Sequence, residues 1–203
     1  MDILTRLQII KYHQDAIIKF GINSKEALGW KNEKNQLARF NALYNINDLN
    51  NHTVLDLGCG IGDFLELLNE NKIVCNYTGI DHLKDFIEFA AQKYKLQTNT
   101  CFLLGDCYKA DLGCYDYILA SGTFNYINKD PHFIYKTISH FYELCNKAFA
   151  FNLLENVETN GGNLVTYNKN EILEFCKKLS PQVILKDNYL VGDFTIIMKN
   201  EGI

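Results

Sequence analysis

The sequence predicts an α/β protein: a doubly wound, mostly parallel seven-stranded sheet with an antiparallel strand near its C-terminal edge, preceded by an N-terminal helical cap. Three observations predict it. From residue 53 onward, short apolar segments alternate with helix-length ones, the pattern of strands joined by crossover helices. The stretch Val54-Leu55-Asp56-Leu57-Gly58-Cys59-Gly60-Ile61-Gly62-Asp63-Phe64 links an apolar run to a helix-like one through glycines at alternate positions. That is the strand–turn–helix unit on which such sheets are wound. The last two strand candidates have no helix-length segment between them and so pair as an antiparallel hairpin.

The elements follow in order. Ile3, Leu7, Ile10 and Ile17 share one face of a helix over 3–19, and Leu37, Phe40, Leu43 and Tyr44 one face of a helix over 33–44. Between them, Ser24 caps a short turn that Gly29 breaks. Strands are expected at 53–57, 76–80, 100–104, 115–120, 148–153, 182–187 and 193–199. Helices are expected at 62–70, 83–94, 130–145 and 170–179. Asp130 as N-cap and Pro131 in the first turn start the third of these, and Ile134, Ile138, Phe141 and Cys145 form its core face. The division is therefore a helical cap or lid over residues 1–50 and one sheet domain over 51–203.

Composition narrows the function classes. A chain of 203 residues with 47% hydrophobic and 22% charged residues fits one globular domain. No apolar run reaches the ~18 residues needed to span a bilayer. The net charge of −4 argues against nucleic acid as a partner, because that binding rests on neutralising phosphates. Residues 1–50 carry seven Lys/Arg against five Asp/Glu, too small an excess for a basic face. Seven scattered cysteines without a Cys-x-x-Cys motif argue against a disulfide framework or a zinc site. They suggest a reducing, cytoplasmic setting.

The glycine loop departs from the dinucleotide fingerprint. Its third glycine, Gly62, falls one residue early, and Asp63 stands where that glycine would be. An acid there repels a pyrophosphate. Together with Asp56, two residues before Gly58, it suits a ligand carrying an ammonium or sulfonium. Here the chain resembles the class I, Rossmann-like S-adenosylmethionine-dependent methyltransferases, whose first motif, acid-x-Gly-x-Gly-x-Gly, is matched by Asp56, Gly58, Gly60 and Gly62. Asp81 ends the second strand 19 residues after Gly62. That is near the ~20-residue offset at which a carboxylate accepts both donors of a ribose diol.

The resemblance implies more. The acid ending the third strand, Asp106, accepts from the adenine amino group, and the amide of Cys107 meets a ring nitrogen. The cofactor contacts are then Asp56, Gly58, Cys59, Gly60, Asp81, His82, Asp106, Cys107 and Ser121. Residues ahead of the first strand cover the cofactor. Trp30 and Arg39 are the candidates there, Arg39 for the cofactor carboxylate, and Tyr12 and His13 reach down as a lid. S-adenosylmethionine is the implied cofactor and S-adenosylhomocysteine the product.

Strands of such sheets end at a common crevice, which gathers Asp56, Asp81, Asp106, Ser121 and Leu154-Glu155. The fourth strand runs into Ser121-Gly122-Thr123-Phe124-Asn125-Tyr126. Some relatives that methylate bases or protein amides carry an Asn/Asp/Ser-Pro-Pro-aromatic motif there. This chain has no prolines at that point, which counts against those acceptors. Asn125, Tyr126 and His132 are the candidate catalytic residues, His132 as general base. The expected activity is methyl transfer to a small molecule. The alternatives are methylation of a protein or RNA, a non-catalytic cofactor-binding module, and, as an outsider, a nicotinamide oxidoreductase.

Overall fold

The computed structural model describes residues 3–155 and 163–200. Two helices, α1 (Ile3–Phe20) and α2 (Glu33–Tyr44), precede the sheet. Seven strands follow: β1 (Thr53–Leu57), β2 (Asn76–Asp81), β3 (Thr100–Leu104), β4 (Tyr115–Ala120), β5 (Cys145–Leu154), β6 (Gln182–Lys186) and β7 (Asp193–Lys199). The helices between them are α3 (Asp63–Glu70), α4 (Lys84–Lys93), α5 (Phe133–Glu143) and α6 (Lys169–Leu179). The strand order is β3-β2-β1-β4-β5-β7-β6. Only β7 runs against its neighbours, inserted between β5 and β6, as the missing crossover helix requires.

The central strands are buried on both faces, and alternate residues feed two cores. Leu55, Leu57, Ile118 and Ala120 meet Ile134, Ile138 and Phe141 of α5 and Ile172 of α6. Val54, Tyr117 and Leu119 meet Phe40 and Leu43 of α2 and Phe64 and Leu68 of α3. The chain turns outward in opposite directions from β1 and β4, and their carboxyl ends open a crevice at that switch point.

Three local expectations change. Cys145 opens β5 instead of closing α5, because it pairs with Tyr115 of β4 and that ladder overrides the helical spacing. Helix α5 starts at Phe133: Asp130 and Pro131 form a preceding turn, in which Asp130 accepts the His132 N–H at 2.9 Å. Helix α1 buries a different face from the one marked by Ile3, Leu7, Ile10 and Ile17. Ile3 and Leu7 are exposed, whereas Thr5, Ile9 and His13 point inward, four residues apart. What lies beneath decides this. Ile10 and Ile17 pack only partly, against Ile61, Leu83 and Phe86, while His13 finds polar partners.

Among the described residues no helix is long and apolar enough to cross a membrane. All seven cysteines are free, with Cys101 and Cys114 exposed.

Candidate active site

A cavity of about 330 Å³ opens at the carboxyl ends of β1, β2 and β4 and is covered by residues of α1, α2 and the turn between them. Its size is in the range of small-molecule sites. The glycine loop forms one wall. Gly58 sits at φ +70°, and a Cβ on it would lie 2.2 Å from the Thr123 hydroxyl oxygen. Only glycine takes that backbone without strain or collision.

Asp81 braces the loop. One of its oxygens accepts the Gly60 N–H at 3.1 Å and the other the Leu83 N–H at 2.9 Å. His82 and Ser121 also line the cavity. The Ser121 hydroxyl donates to Asn152 at 2.8 Å.

Asp56 is buried and accepts the Tyr77 hydroxyl at 2.6 Å. Burial pushes its carboxyl up to about 7, against the Tyr77 hydrogen bond, with Asp81 and Asp63 adding to the rise. The sign is that of a raised acid. Its contribution to stability is fully present below about pH 4 and is lost as pH climbs through about 7. Asp56→Asn is therefore expected to gain on the native protein by about 3 kcal/mol between pH 5 and pH 8, at ~1.4 kcal/mol per pH unit up to the folded value. Urea midpoints at the two pH values test this, and a pH-independent difference rejects it.

Asp63 does not present a bare charge to the loop. Its carboxylate receives Lys25 Nζ and Gln36 Nε2, both at 2.8 Å, with Lys93 Nζ at 4.0 Å. Asp63 therefore does not repel a pyrophosphate as a bare acid would, since the paired cations cancel its field.

At the end of β3, Asp106 accepts the Tyr108 N–H at 3.1 Å through Oδ1, while Oδ2 is buried without a partner. Asp106 is not part of the cavity lining, but its neighbours Gly105, Cys107 and Tyr108 are. Cys59 lines the wall as a buried thiol pushed far above its usual range by desolvation.

Arg39 lines the cavity, and its guanidinium grips the buried Asp193 through Nε and Nη2. A chain of polar contacts runs from this pair through Tyr189, Thr195 and Asn152 to Ser121. The Trp30 ring lies 5.1 Å from the Arg39 guanidinium and edge-on to Phe40.

The three catalytic candidates separate. His132 is exposed at the start of α5 and outside the cavity, because the turn at Asp130 points that end of the helix to solvent. Asn125 is inside but committed, with its carbonyl accepting the Leu154 N–H at 2.9 Å and fixing the end of β5. Tyr126 lines the cavity and meets His13 at 2.8 Å. The sequence offered His13 only as part of a lid; its spacing of four from Ile9 was the signal that it faces inward.

With this geometry in view, three relatives and one family bear on the chain. A family model described as a methyltransferase domain matches residues 48–190. The protein Rv1506c of Mycobacterium tuberculosis, provisionally named a methyltransferase, is 26% identical over 164 residues, covering 76% of this chain and 96% of that one. Magnesium protoporphyrin IX methyltransferase from Synechocystis PCC 6803, solved with bound S-adenosylhomocysteine, superposes at a TM-score of 0.72 with 13% identity over 97% of this chain and 100% of that one. The N-methyltransferase NodS from Bradyrhizobium japonicum WM9, also solved with S-adenosylhomocysteine, gives 0.71 with 14% identity over 95% and 98%. The match spans more than half of the chain, and the protein belongs to the methyltransferase-domain family.

Proposed function

We propose that the protein transfers the methyl group of S-adenosylmethionine to a small molecule bound under α1 and α2. S-adenosylmethionine supplies the electrophilic methyl carbon on its sulfonium; the protein supplies orientation and a dry pocket. The described residues fit such a group. Asp81 stands at the end of β2 for the ribose diol, and the buried, unpartnered Oδ2 of Asp106 suits the adenine amino group. Gly58 and Gly60 line the cavity, and the lack of a Cβ lets Thr123 pack against the first and Leu28 against the second. Cys59, His82, Cys107 and Ser121 complete the proposed contacts, and Trp30 covers the methionine end. Arg39 acts there as the anchor of α2 rather than as a free guanidinium.

The observation that carries this reading is Asp81, a carboxylate bracing the glycine loop from the neighbouring strand. Two further facts support a small acceptor: the cavity is modest and covered, and magnesium protoporphyrin IX, named in one structural relative, is itself a small molecule. The acidic net charge supports it as well. Asp81→Ala is expected to weaken S-adenosylhomocysteine binding at least tenfold by calorimetry, since two hydrogen bonds to a charged group are worth roughly 3 kcal/mol or more. The melting temperature without ligand serves as the folding control. Unchanged affinity in a folded variant would overturn the ribose assignment.

A further inference from the structure

The cavity contains one polar pair that no proposed cofactor contact uses. His13 reaches in from α1 and Tyr126 from the segment after β4. His13 Nδ1 lies 2.7 Å from the Ala27 carbonyl, and Nε2 lies 2.8 Å from the Tyr126 hydroxyl. A carbonyl only accepts, so Nδ1 carries the hydrogen and Nε2 offers a lone pair. Tyr126 then donates to Nε2, which leaves its oxygen lone pairs as acceptors for whatever binds beside it. The turn at Gly29 lies against the pair. A Cβ there would sit 3.4 Å from the imidazole and 3.7 Å from the Tyr126 oxygen. The Phe86 ring, 5.5 Å away, meets the imidazole edge-on.

The surroundings restrict what the pair serves. The carboxylates that line the cavity already have partners: Asp63 with Lys25, Asp193 with Arg39, Asp56 with Tyr77, and Asp81 with the loop amides. An ammonium acceptor would find no uncommitted carboxylate among these. The apolar part of the lining includes Leu28, Leu154 and Leu164, the last bridged to Tyr126 through the backbone. Such a wall takes an uncharged, largely apolar acceptor, and an uncharged oxygen nucleophile must lose a proton.

We infer that Tyr126 and His13 form a proton relay for an acceptor bearing a weakly acidic hydroxyl, a phenol or enol. The inference rests on the S-adenosylmethionine reading. In the step, the acceptor oxygen forms a bond to the methyl carbon as the carbon–sulfur bond breaks, and the sulfur keeps that electron pair as a thioether. The acceptor's proton passes to the Tyr126 oxygen while the Tyr126 proton passes to His13 Nε2. The imidazolium keeps its Nδ1–H on the Ala27 carbonyl and later returns a proton through Tyr126 to water. Tyr126 touches the acceptor, and His13 acts through it.

Burial lowers His13 below the ordinary imidazole value, so it is neutral and ready to accept at neutral pH. The Ala27 carbonyl and Asp81 oppose that shift and stabilise the imidazolium, His82 works the other way, and Tyr12 is the remaining ionisable group against the ring. Burial also pushes the Tyr126 hydroxyl well above its usual range, which favours a relay over a standing tyrosinate.

The experiment uses the full chain with Tyr126→Phe and His13→Gln, and two phenols as probes: 4-methylphenol, un-ionised at pH 8, and 4-nitrophenol, ionised there. Calorimetry first checks S-adenosylhomocysteine on each protein. No binding to the native protein overturns the cofactor reading itself; binding within twofold across the variants isolates the relay. Absorbance then follows 4-nitrophenol bound to the S-adenosylhomocysteine complex from pH 5 to 8. The native protein is expected to ionise it at lower pH than either variant does. With S-adenosylmethionine, methylation of 4-methylphenol is expected to fall about a hundredfold or more in the variants, the scale of general-base catalysis, and that of 4-nitrophenol less than threefold. Equal losses on both phenols assign the pair a structural role and overturn the relay. Failure of the native complex to bind either phenol, or turnover of amines alone, overturns the acceptor class.

Discussion

Gly58→Ala is expected to destabilise the protein by about 3 kcal/mol or more and to reduce S-adenosylhomocysteine affinity beyond a hundredfold. Two physical effects add. The residue sits at φ +70°, where an L side chain costs roughly 1–2 kcal/mol. The new methyl also meets Thr123, at 2.2 Å from Oγ1, 2.9 Å from Cγ2 and 3.1 Å from Cβ. Threonine is short and branched, and its hydroxyl is tied to the Leu57 carbonyl at 2.7 Å, so it cannot swing aside without breaking that bond. Overpacking of this kind costs about 1–3 kcal/mol. The loop must then shift, and the backbone floor shifts with it. Urea denaturation and calorimetry measure the two losses. Adding Thr123→Ala removes the worst contacts, so a coupling of roughly 1–2 kcal/mol is expected between the sites. Additive losses would show that Thr123 is not what Gly58 accommodates.

Arg39→Ala is expected to cost about 3–5 kcal/mol, the scale for removing one partner of a buried ion pair. The Arg39 side chain is 13% exposed and that of Asp193 1%. Loss of the guanidinium leaves a buried carboxylate that, among the described residues, the Tyr189 hydroxyl meets at 2.5 Å. Burial already raises Asp193, and Arg39 is the main influence holding it down. Without Arg39 the carboxyl rises further, so the deficit is expected to be largest at high pH and to shrink as pH falls and Asp193 takes up a proton. Arg39→Lys keeps the charge but not the planar fork, and should recover only part of the stability. Stability measured at several pH values tests the sign, and a deficit that grows on acidification contradicts it. The same variant removes one of the polar ties of α2, which is also held by Gln36 on Asp63, by Lys186 on the Ala42 carbonyl and by the packing of Phe40 and Leu43.

How much of this was readable beforehand differs by element. The seven strands, the hairpin at the end and the acids at the ends of β1, β2 and β3 follow from local patterns. Strand alternation, glycine spacing and turn chemistry are properties of a few adjacent residues. The partners of those acids were not readable. Asp63 looks like a bare charge until Lys25 and Gln36 are brought to it from 38 and 27 residues away. Arg39 looks free until Asp193 arrives from 154 residues along the chain. His132 carried the right chemistry in the wrong place, since a helix's first turn faces solvent or cavity according to how the helix docks. His13 was hidden because Ile3, Leu7, Ile10 and Ile17 mark a stripe of α1 that the fold leaves exposed at Ile3 and Leu7 and packs only partly at Ile10 and Ile17.

By itself, then, the sequence determined the sheet, the glycine bend and the carboxylates that end successive strands, because backbone sterics and hydrophobic periodicity act over a few residues. Tertiary structure alone decided which charges are neutralised, which face of α1 looks inward, and that His13 meets Tyr126 across 113 residues. Pairing energies of buried polar groups depend on what is brought within about 3 Å of them, and only the packed chain sets that distance.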